Sequence, residues 1–534
     1  MYTPEEQTVL KRHVTNLDRN VYAIFNLPQE VVAVIFAYVS RSPRSFRDNL
    51  LRLVLAGDLD MGSMINLYDS DVMDLSAAQE KARDFHERIT LGYGHSSVAE
   101  LAGASNGVEK VSRLASAELE IANRWLSFIE YSQRYQRPQR GWYVTPPEVE
   151  NCSDTSVQRA YHRLQDFTFD VYERLLQGLL PWLEYELPQG EKESTRRYQA
   201  RLEKIAFEDA RYALTLAVQT NLGMTGNARA VRDTVVDLLS SPYREVSALG
   251  AAIKQEATRI IPTLIRYADP NPYQKAVREQ FQASPTADER PDSRNRHRFV
   301  RLLDWTGKGY GSGLMTDPVK AVIDYDTSAY HQPYKPPSAT PDQRQALARI
   351  LAAAAIEHRG ACSEDAFLRH TPEDLLQRYQ NLTTGLRSHD HPAAALKHCT
   401  YRFEMAISEA NWHQLLRHCR QIDFIPAPPA IDQGATIPPH IQAAGLSGVL
   451  MEAVAASETL YRQLAGISPW AAHYAVTNAH QRFLIAQVSL WEMFHLLNLR
   501  GKPETQWDIR QTVFAMRDLI RRVHPHLLDV TRRA

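Results

Sequence analysis

An α+β fold, helix-rich with a small sheet and laid out as two tandem copies of one domain, is what this 534-residue sequence predicts. Three observations lead there. Apolar residues recur at three- and four-residue spacing over long stretches, strand-like runs are few and short, and motifs of the first half return in the same order in the second.

The helical spacing is clearest in Val98–Leu119, Phe207–Leu222, Leu347–Ile356 and Tyr474–Leu499, each predicted as amphipathic helix. Strands are expected at Val21–Phe25 and Val319–Ile323, which are rich in strand-forming residues and followed by polar or turn residues. Val319 stands 298 residues after Val21, and His391-Pro392 stands 297 after Gly94-His95. Further on, His473-Tyr474-Ala475 follows Arg211-Tyr212-Ala213 by only 262, so the first copy carries a longer insertion. The period is too long for a solenoid. Asp269–Asp317, dense in proline, charge and small residues, reads as a linker or surface excursion. The domains are therefore expected at 1–270 and 318–534, with 271–317 between them.

Composition narrows the function classes. No apolar run approaches the roughly 20 residues of a membrane span, so no membrane partner is expected. Basic and acidic side chains number 61 and 62, which leaves no global positive field to gather a nucleic acid polymer. The start Met1-Tyr2-Thr3-Pro4 lacks the basic-then-apolar order of a secretory signal, and four cysteines make no disulfide framework, so a reducing cytoplasmic setting is expected. No dinucleotide or P-loop glycine motif occurs, and no His/Cys set has zinc spacing, so no metal is expected.

The densest chemistry lies in Ser127-Phe128-Ile129-Glu130-Tyr131-Ser132-Gln133-Arg134-Tyr135. With Ser132 and Arg134 on one side, a hydroxyl beside a guanidinium fork makes a phosphate clamp. On spacing alone the same residues fit a solvated turn after a helix, and His95, His398 and His418 fit core or capping roles.

Taken together, Gly94-His95-Ser96-Ser97, Glu100, Ser112-Arg113 and the run Arg124 to Tyr135 resemble the flavin-dependent thymidylate synthases, whose signature reads R-H-R-x-x-S-x-N-E-x-S-x-R-Y. The chain keeps the last Arg, both Ser, the Glu and the closing Arg-Tyr, and loses the first Arg, the His and the Asn. Arg211-Tyr212 and Asn227-Ala228-Arg229 resemble the next two blocks, but Asp237-Leu238 replaces the pyrimidine-gripping arginine. In the second copy, Gln414-Leu415-Leu416-Arg417-His418-Cys419 resembles Q-x-x-R-H-R with Cys419 at the last Arg, and Asn498-Leu499-Arg500 restores the pyrimidine arginine; Ser489-Leu490-Trp491 replaces N-A-R, and the clamp residues are gone.

The resemblance implies reductive methylation of dUMP to dTMP with FAD, NADPH and 5,10-methylenetetrahydrofolate, without a cysteine nucleophile. It implies Ser132, Arg134, Glu130, Arg211 and Gln414 at the nucleotide, and Arg500 as the catalytic group against the pyrimidine edge. It implies Ser97, Glu100, Arg124, Asn227, Arg229, Arg417 and His418 at the cofactor. Because losses in one copy fall where the other retains the residue, sites composed from both copies are expected, in a homodimer that mimics the family's four-domain tetramer. The alternatives are an enzyme acting on another pyrimidine nucleotide and a non-catalytic nucleotide- or flavin-binding scaffold.

Overall fold

A computed structural model describes residues 2–39, 45–55, 96–281, 298–308, 319–322, 339–387 and 389–529. Gly94, His95 and Ile323 lie outside the described residues. The strands are β1 (Gly103–Ser112), β2 (Ser127–Glu130), β3 (Gln219–Asn227), β4 (Phe299–Trp305), β5 (Val319–Val322), β6 (Thr400–Ser408), β7 (Ile422–Pro426) and β8 (Gln481–Ser489). They form a three-stranded sheet in the order β1-β3-β2 and a five-stranded sheet in the order β5-β4-β6-β8-β7. Most other described residues are helical, so the fold is α+β with small sheets.

One succession of elements occurs twice. A 3-10 turn (Ser96–Leu101) leads to β1, helix Arg113–Ala122, β2, long helices, a 3-10 turn (Arg211–Ala213), β3 and helix Ala228–Leu239. A 3-10 turn (Ala394–His398) then leads to β6, helix Glu409–Leu415, β7, further helices, a 3-10 turn (His473–Ala475), β8 and helix Leu490–Arg500. β6 starts 297 residues after β1, at Thr400 against Gly103, and β8 starts 262 after β3, at Gln481 against Gln219. The shortfall lies in the intervening helices: Thr155–Glu186 and Thr195–Ala210 on one side, Ser447–Ala465 and Pro469–Ala472 on the other. Thr215 forms an antiparallel bridge with Thr477, its own equivalent at the 262 offset. Leu216 N–H donates to the Val476 carbonyl at 2.8 Å and Asn478 N–H to the Leu214 carbonyl at 2.8 Å. Pairing of equivalent segments in this way is the local pattern of a two-fold contact.

The chain divides into two compact units. The first comprises Met1–Val111, Glu118–Tyr131 and Thr220–Ser284; the second comprises Ser112–Ala117, Ser132–Gln219 and Pro285–Ala534. The first has an apolar cluster around Leu10, Val31, Ile35 and Leu50. In the second, Leu175, Leu176 and Leu179 of helix Thr155–Glu186 pack with Leu450, Ala453 and Val454 of helix Ser447–Ala465. These units cut across the linear division at 1–270 and 318–534, because the long helices of the first copy bury their apolar faces with the second.

The described residues realise some expected elements and overturn others. Helix Pro341–Arg359 contains the expected Leu347–Ile356, capped by Thr340, whose hydroxyl accepts from Gln343 N–H at 3.0 Å. β5 realises the Val319 strand. Val21–Phe25 forms no strand, only the bridge Val14–Ile24, and Val21 is 84% exposed: strand propensity has no sheet to join there. Val98–Leu119 is not one helix but 3-10 turn, strand and helix. On β1 the buried residues Ala104, Val108 and Ser112 stand four apart, every second position of one strand face, which imitates helical spacing. Phe207–Leu222 and Tyr474–Leu499 likewise contain β3 and β8, whose approaches are buried on all sides and carry no period. The 271–317 stretch is not simply a linker, since it holds helix Pro272–Phe281 and β4, an interior strand of the five-stranded sheet.

Candidate functional site

In the first unit the residues implied at the cofactor gather at the start of helix Ala228–Leu239. Asn227 caps it, its Oδ1 accepting from Ala230 N–H at 2.8 Å. The chain can cross here because Gly226 has no Cβ, which would collide with the Leu126 side chain. A pocket of about 570 Å³ opens beside this end, lined by Glu100, Arg124, Trp125, Asn227, Arg229 and Asp233 among others. Arg229 pairs with Glu100 at 2.7 Å. Four of the five first-copy residues assigned to the cofactor thus share one pocket. The fifth, Ser97, is exposed on the 3-10 turn that carries Glu100 and is not among the pocket's lining residues. Glu130 closes β2 opposite Leu222, likewise apart from that lining. Trp125, 70% exposed, and Asp233 were missed; an indole beside Arg124 at a loop was the available signal for the first.

The donor set fits a phosphate-bearing dinucleotide such as FAD. The guanidiniums of Arg124 and Arg229 and the carboxamides of Asn123 and Asn227 line one pocket with the carboxylates of Glu100 and Asp233, at the start of a twelve-residue helix whose dipole favours phosphate.

Of the residues implied at the nucleotide, Ser132, Arg134, Arg211 and Gln414 belong to the second unit, whereas Glu130 belongs to the first. Arg134 Nε donates to Glu208 Oε1 at 2.6 Å, and its Nη2 reaches the Glu504 carbonyl at 3.5 Å. Ser132 Oγ accepts from Arg134 N–H at 3.3 Å, so it shapes the turn that presents the guanidinium. Lys204 lies 3.9 Å from Glu208 and donates to the Glu504 carbonyl at 3.1 Å. Arg211 is buried, donates Nε–H to the Glu208 carbonyl at 3.3 Å, and leaves Nη2 without a partner. Burial pulls its pKa below the ordinary arginine range, and the charges of Arg134 and Arg113 push the same way. Arg500 is lowered to about 10, first by burial and then by Arg134 and Arg417. These cations outnumber the Glu208 carboxylate among them, a field that attracts an anion.

Arg500 is held from behind. Its Nε–H donates to His418 Nε2 at 3.0 Å and its Nη2 to the Gln414 carbonyl at 3.3 Å. Gln414 Nε2 donates to Gln506 Oε1 at 3.0 Å, and Gln506 Nε2 to the Tyr212 hydroxyl at 3.1 Å. Tyr212 donates to Asp508 Oδ2 at 2.6 Å, while Ser408, Asn411 and Arg298 close on the same fully buried carboxylate. The two ring nitrogens of His418 face Arg500 and Glu492, the latter at 3.1 Å from Nδ1. Arg417 lies close enough to lower Arg500, and has partners of its own.

Among the described residues, His418, Glu492 and His495 form a group whose ligand atoms lie within 4.8 Å of one another, although no metal was expected. A guanidinium only donates, so His418 Nε2 accepts and the neutral ring carries its proton on Nδ1, toward Glu492. Burial and the neighbouring Arg500 keep this ring well below the usual histidine pKa. Both His418 nitrogens are committed, Nε2 to Arg500 and Nδ1 to Glu492, so this ring has no lone pair left for a cation. Cys152, Cys362, Cys399 and Cys419 form no disulfide, and burial pushes Cys399 up to about 11, far from a reactive thiolate.

Among the described residues, no helix is long and apolar enough to cross a membrane. A family model described as thymidylate synthase complementing protein matches residues 46–263 and again 340–526. A UPF0159 protein of Chlamydia muridarum (strain MoPn / Nigg) is 24% identical over 543 residues, covering 98% of this chain and 94% of that one. A UPF0159 protein of Thermoplasma acidophilum is 24% identical over 518 residues, covering 88% of this chain and 94% of its own. A flavin-dependent thymidylate synthase of Sulfurisphaera tokodaii is 27% identical over 206 residues, covering 36% of this chain and 68% of that enzyme. Two matched segments that together take in most of the chain, with the same elements recurring in each, make this chain a member of the flavin-dependent thymidylate synthase family.

Proposed function

We propose that the chain is a tandem duplication that converts dUMP to dTMP, using FAD, 5,10-methylenetetrahydrofolate and NADPH. One observation carries the reading: Arg134 and Arg211 of the first copy lie in one compact unit with Gln414, Arg417 and Arg500 of the second, and their charges act on one another. Each side supplies what the other has lost.

In this reading Arg134 and Arg211 take the 5′-phosphate, with Ser132 shaping the turn that presents Arg134. Arg500 faces the O2/N3 edge of the pyrimidine and stabilises the negative charge that grows as C5 becomes nucleophilic. Gln414 fixes Arg500 through its carbonyl. Glu100, Arg124, Asn227 and Arg229 hold the flavin, which when bound supplies the hydride and relays the one-carbon unit. No thiol attacks the ring. A homodimer of fused chains would bring four domains together, and cysteines that form no disulfide suit a reducing cytoplasm.

Purified protein supplied with dUMP, methylenetetrahydrofolate, NADPH and FAD should form dTMP, and should let a thymidine-requiring bacterial strain grow without thymidine. Flavin-loaded protein that binds dUMP yet fails both assays would move the substrate to another pyrimidine nucleotide. Protein that takes up neither ligand would leave the scaffold reading.

A further inference from the structure

We propose that Glu492 and His418 are positioning residues that aim Arg500, a role that rests on the reading of Arg500 given above. The two come from separate elements: His418 ends the 3-10 turn Leu416–His418, and Glu492 lies in the first turn of helix Leu490–Arg500. Glu492 Oε1 lies 3.1 Å from His418 Nδ1, and His418 Nε2 accepts from Arg500 Nε at 3.0 Å. Glu492 and His418 are almost fully buried, with side chains 2% and 5% exposed, so water does not compete for these bonds. An arginine has several rotatable bonds, and burial alone does not choose among their rotamers. The imidazole chooses: it accepts the Nε–H of the guanidinium, while the Gln414 carbonyl takes Nη2.

The direction of the bonds follows from chemistry. Arginine has no acceptor, so His418 must be neutral with its proton on Nδ1, and Glu492 must accept that proton's bond. Glu492 is the element that chooses the tautomer; without it the ring can carry its proton on Nε2, against the Arg500 N–H, and the guanidinium turns away. The second copy thus anchors at the start of helix Leu490–Arg500 the side chain it presents at the end of the same helix. Family motifs pointed to His418 and Arg500 separately; Glu492 carried no motif and its role comes from packing.

Two measurements decide the matter. In protein with 15N-labelled histidine, the His418 ring, identified by the signals lost in His418→Gln, should show a neutral ring protonated on Nδ1 near pH 7. A ring protonated on Nε2, or doubly protonated, overturns the proposal whether or not the enzyme turns over. Glu492→Leu should lower dTMP formation roughly 10²-fold, the cost of a misplaced group, while dUMP affinity stays within about twofold. Glu492→Gln, whose amide oxygen still accepts from Nδ1, should restore most of the rate, and it also serves if the leucine variant does not fold. A glutamine variant as slow as the leucine variant overturns the proposal, as does Glu492→Leu at full rate while Arg500→Ala is inactive. Arg500→Ala at full rate is a different result, which ends the functional reading of Arg500 itself.

Discussion

Helices Ala228–Leu239 and Leu490–Arg500 occupy equivalent places, each following the last strand of its copy, yet they carry an arginine at opposite ends. Both start on a polar cap: Asn227 accepts from Ala230 N–H at 2.8 Å and Ser489 from Glu492 N–H at 3.2 Å. Past the cap, the first helix offers Arg229 to a polar pocket, where the second has Trp491, stacked on His391 at 5.5 Å and 8°. At the far end the first helix has the buried Leu238, where the second has Arg500. A duplicated helix can split two jobs because one turn of side chains changes without disturbing the cap or the apolar face that fold it.

The sharpest way to break this comparison is Arg500→Leu, which copies the Leu238 end into the second helix. Turnover should fall about 10²–10³-fold with little change in dUMP affinity, because the charge it meets grows only in the transition state. Steady-state kinetics beside calorimetric binding separates the two; equal losses in both would make Arg500 a plain ground-state contact. Next in size, Arg134→Ala should weaken dUMP binding by about 1.5–3 kcal/mol, read by calorimetry, with turnover at saturation nearly kept. Unchanged affinity would leave Arg134 as no more than the partner of Glu208.

Acid should distinguish the two units. In the second, burial holds His473, His480 and His524 at about 3, 4 and 3, and also lowers His413 and His418. Their unfolded values lie near about 6.5, so between roughly pH 4 and 6.5 the unfolded chain binds more protons and stability rises with pH, by up to about 1.4 kcal/mol per pH unit for each ring. These rings outnumber the buried groups of opposite slope, Glu409, Glu492 and His440. In the first unit burial raises Glu30 from 4.5 to about 7, so its contribution is complete below pH 4.5 and is lost as pH rises through 7. Urea midpoints at pH 5, 6 and 7.5, followed by a probe in each unit, should shift in opposite directions. A common direction would show that burial does not set these slopes.

The smallest effect belongs to Arg229→Ala. Its pair with Glu100 is nearly half exposed on both sides, so unfolding free energy should change by no more than about 1 kcal/mol. Flavin retention on gel filtration should nonetheless drop severalfold. A large stability loss with flavin retained would make the pair structural.

Much of the site was legible because its chemistry is local. Ser132-Gln133-Arg134 and Asn227-Ala228-Arg229 are contiguous, and contiguity survives without knowledge of the fold. The partners of His418 were not legible because Glu492 and Arg500 come from a distant helix. Strands fared worse than helices: Ala104, Val108 and Ser112 show one face of β1 at a spacing that a helix shares, and only a ladder partner resolves it. Averaging over 271–317 hid the seven residues of β4 among turn formers.

The amino-acid sequence by itself determined the two repeat offsets and the division of family residues between the copies. All of these follow from residue identity and short-range spacing. Only the tertiary structure decided that Arg134 and Arg500 share one unit, that Asp508 gathers Tyr212, Ser408 and Asn411, and that Glu492 sets the ring behind Arg500. The reason is physical: a buried polar atom must find its partner wherever packing places one, and packing joins segments by the shape of their apolar faces, not by their nearness in the chain.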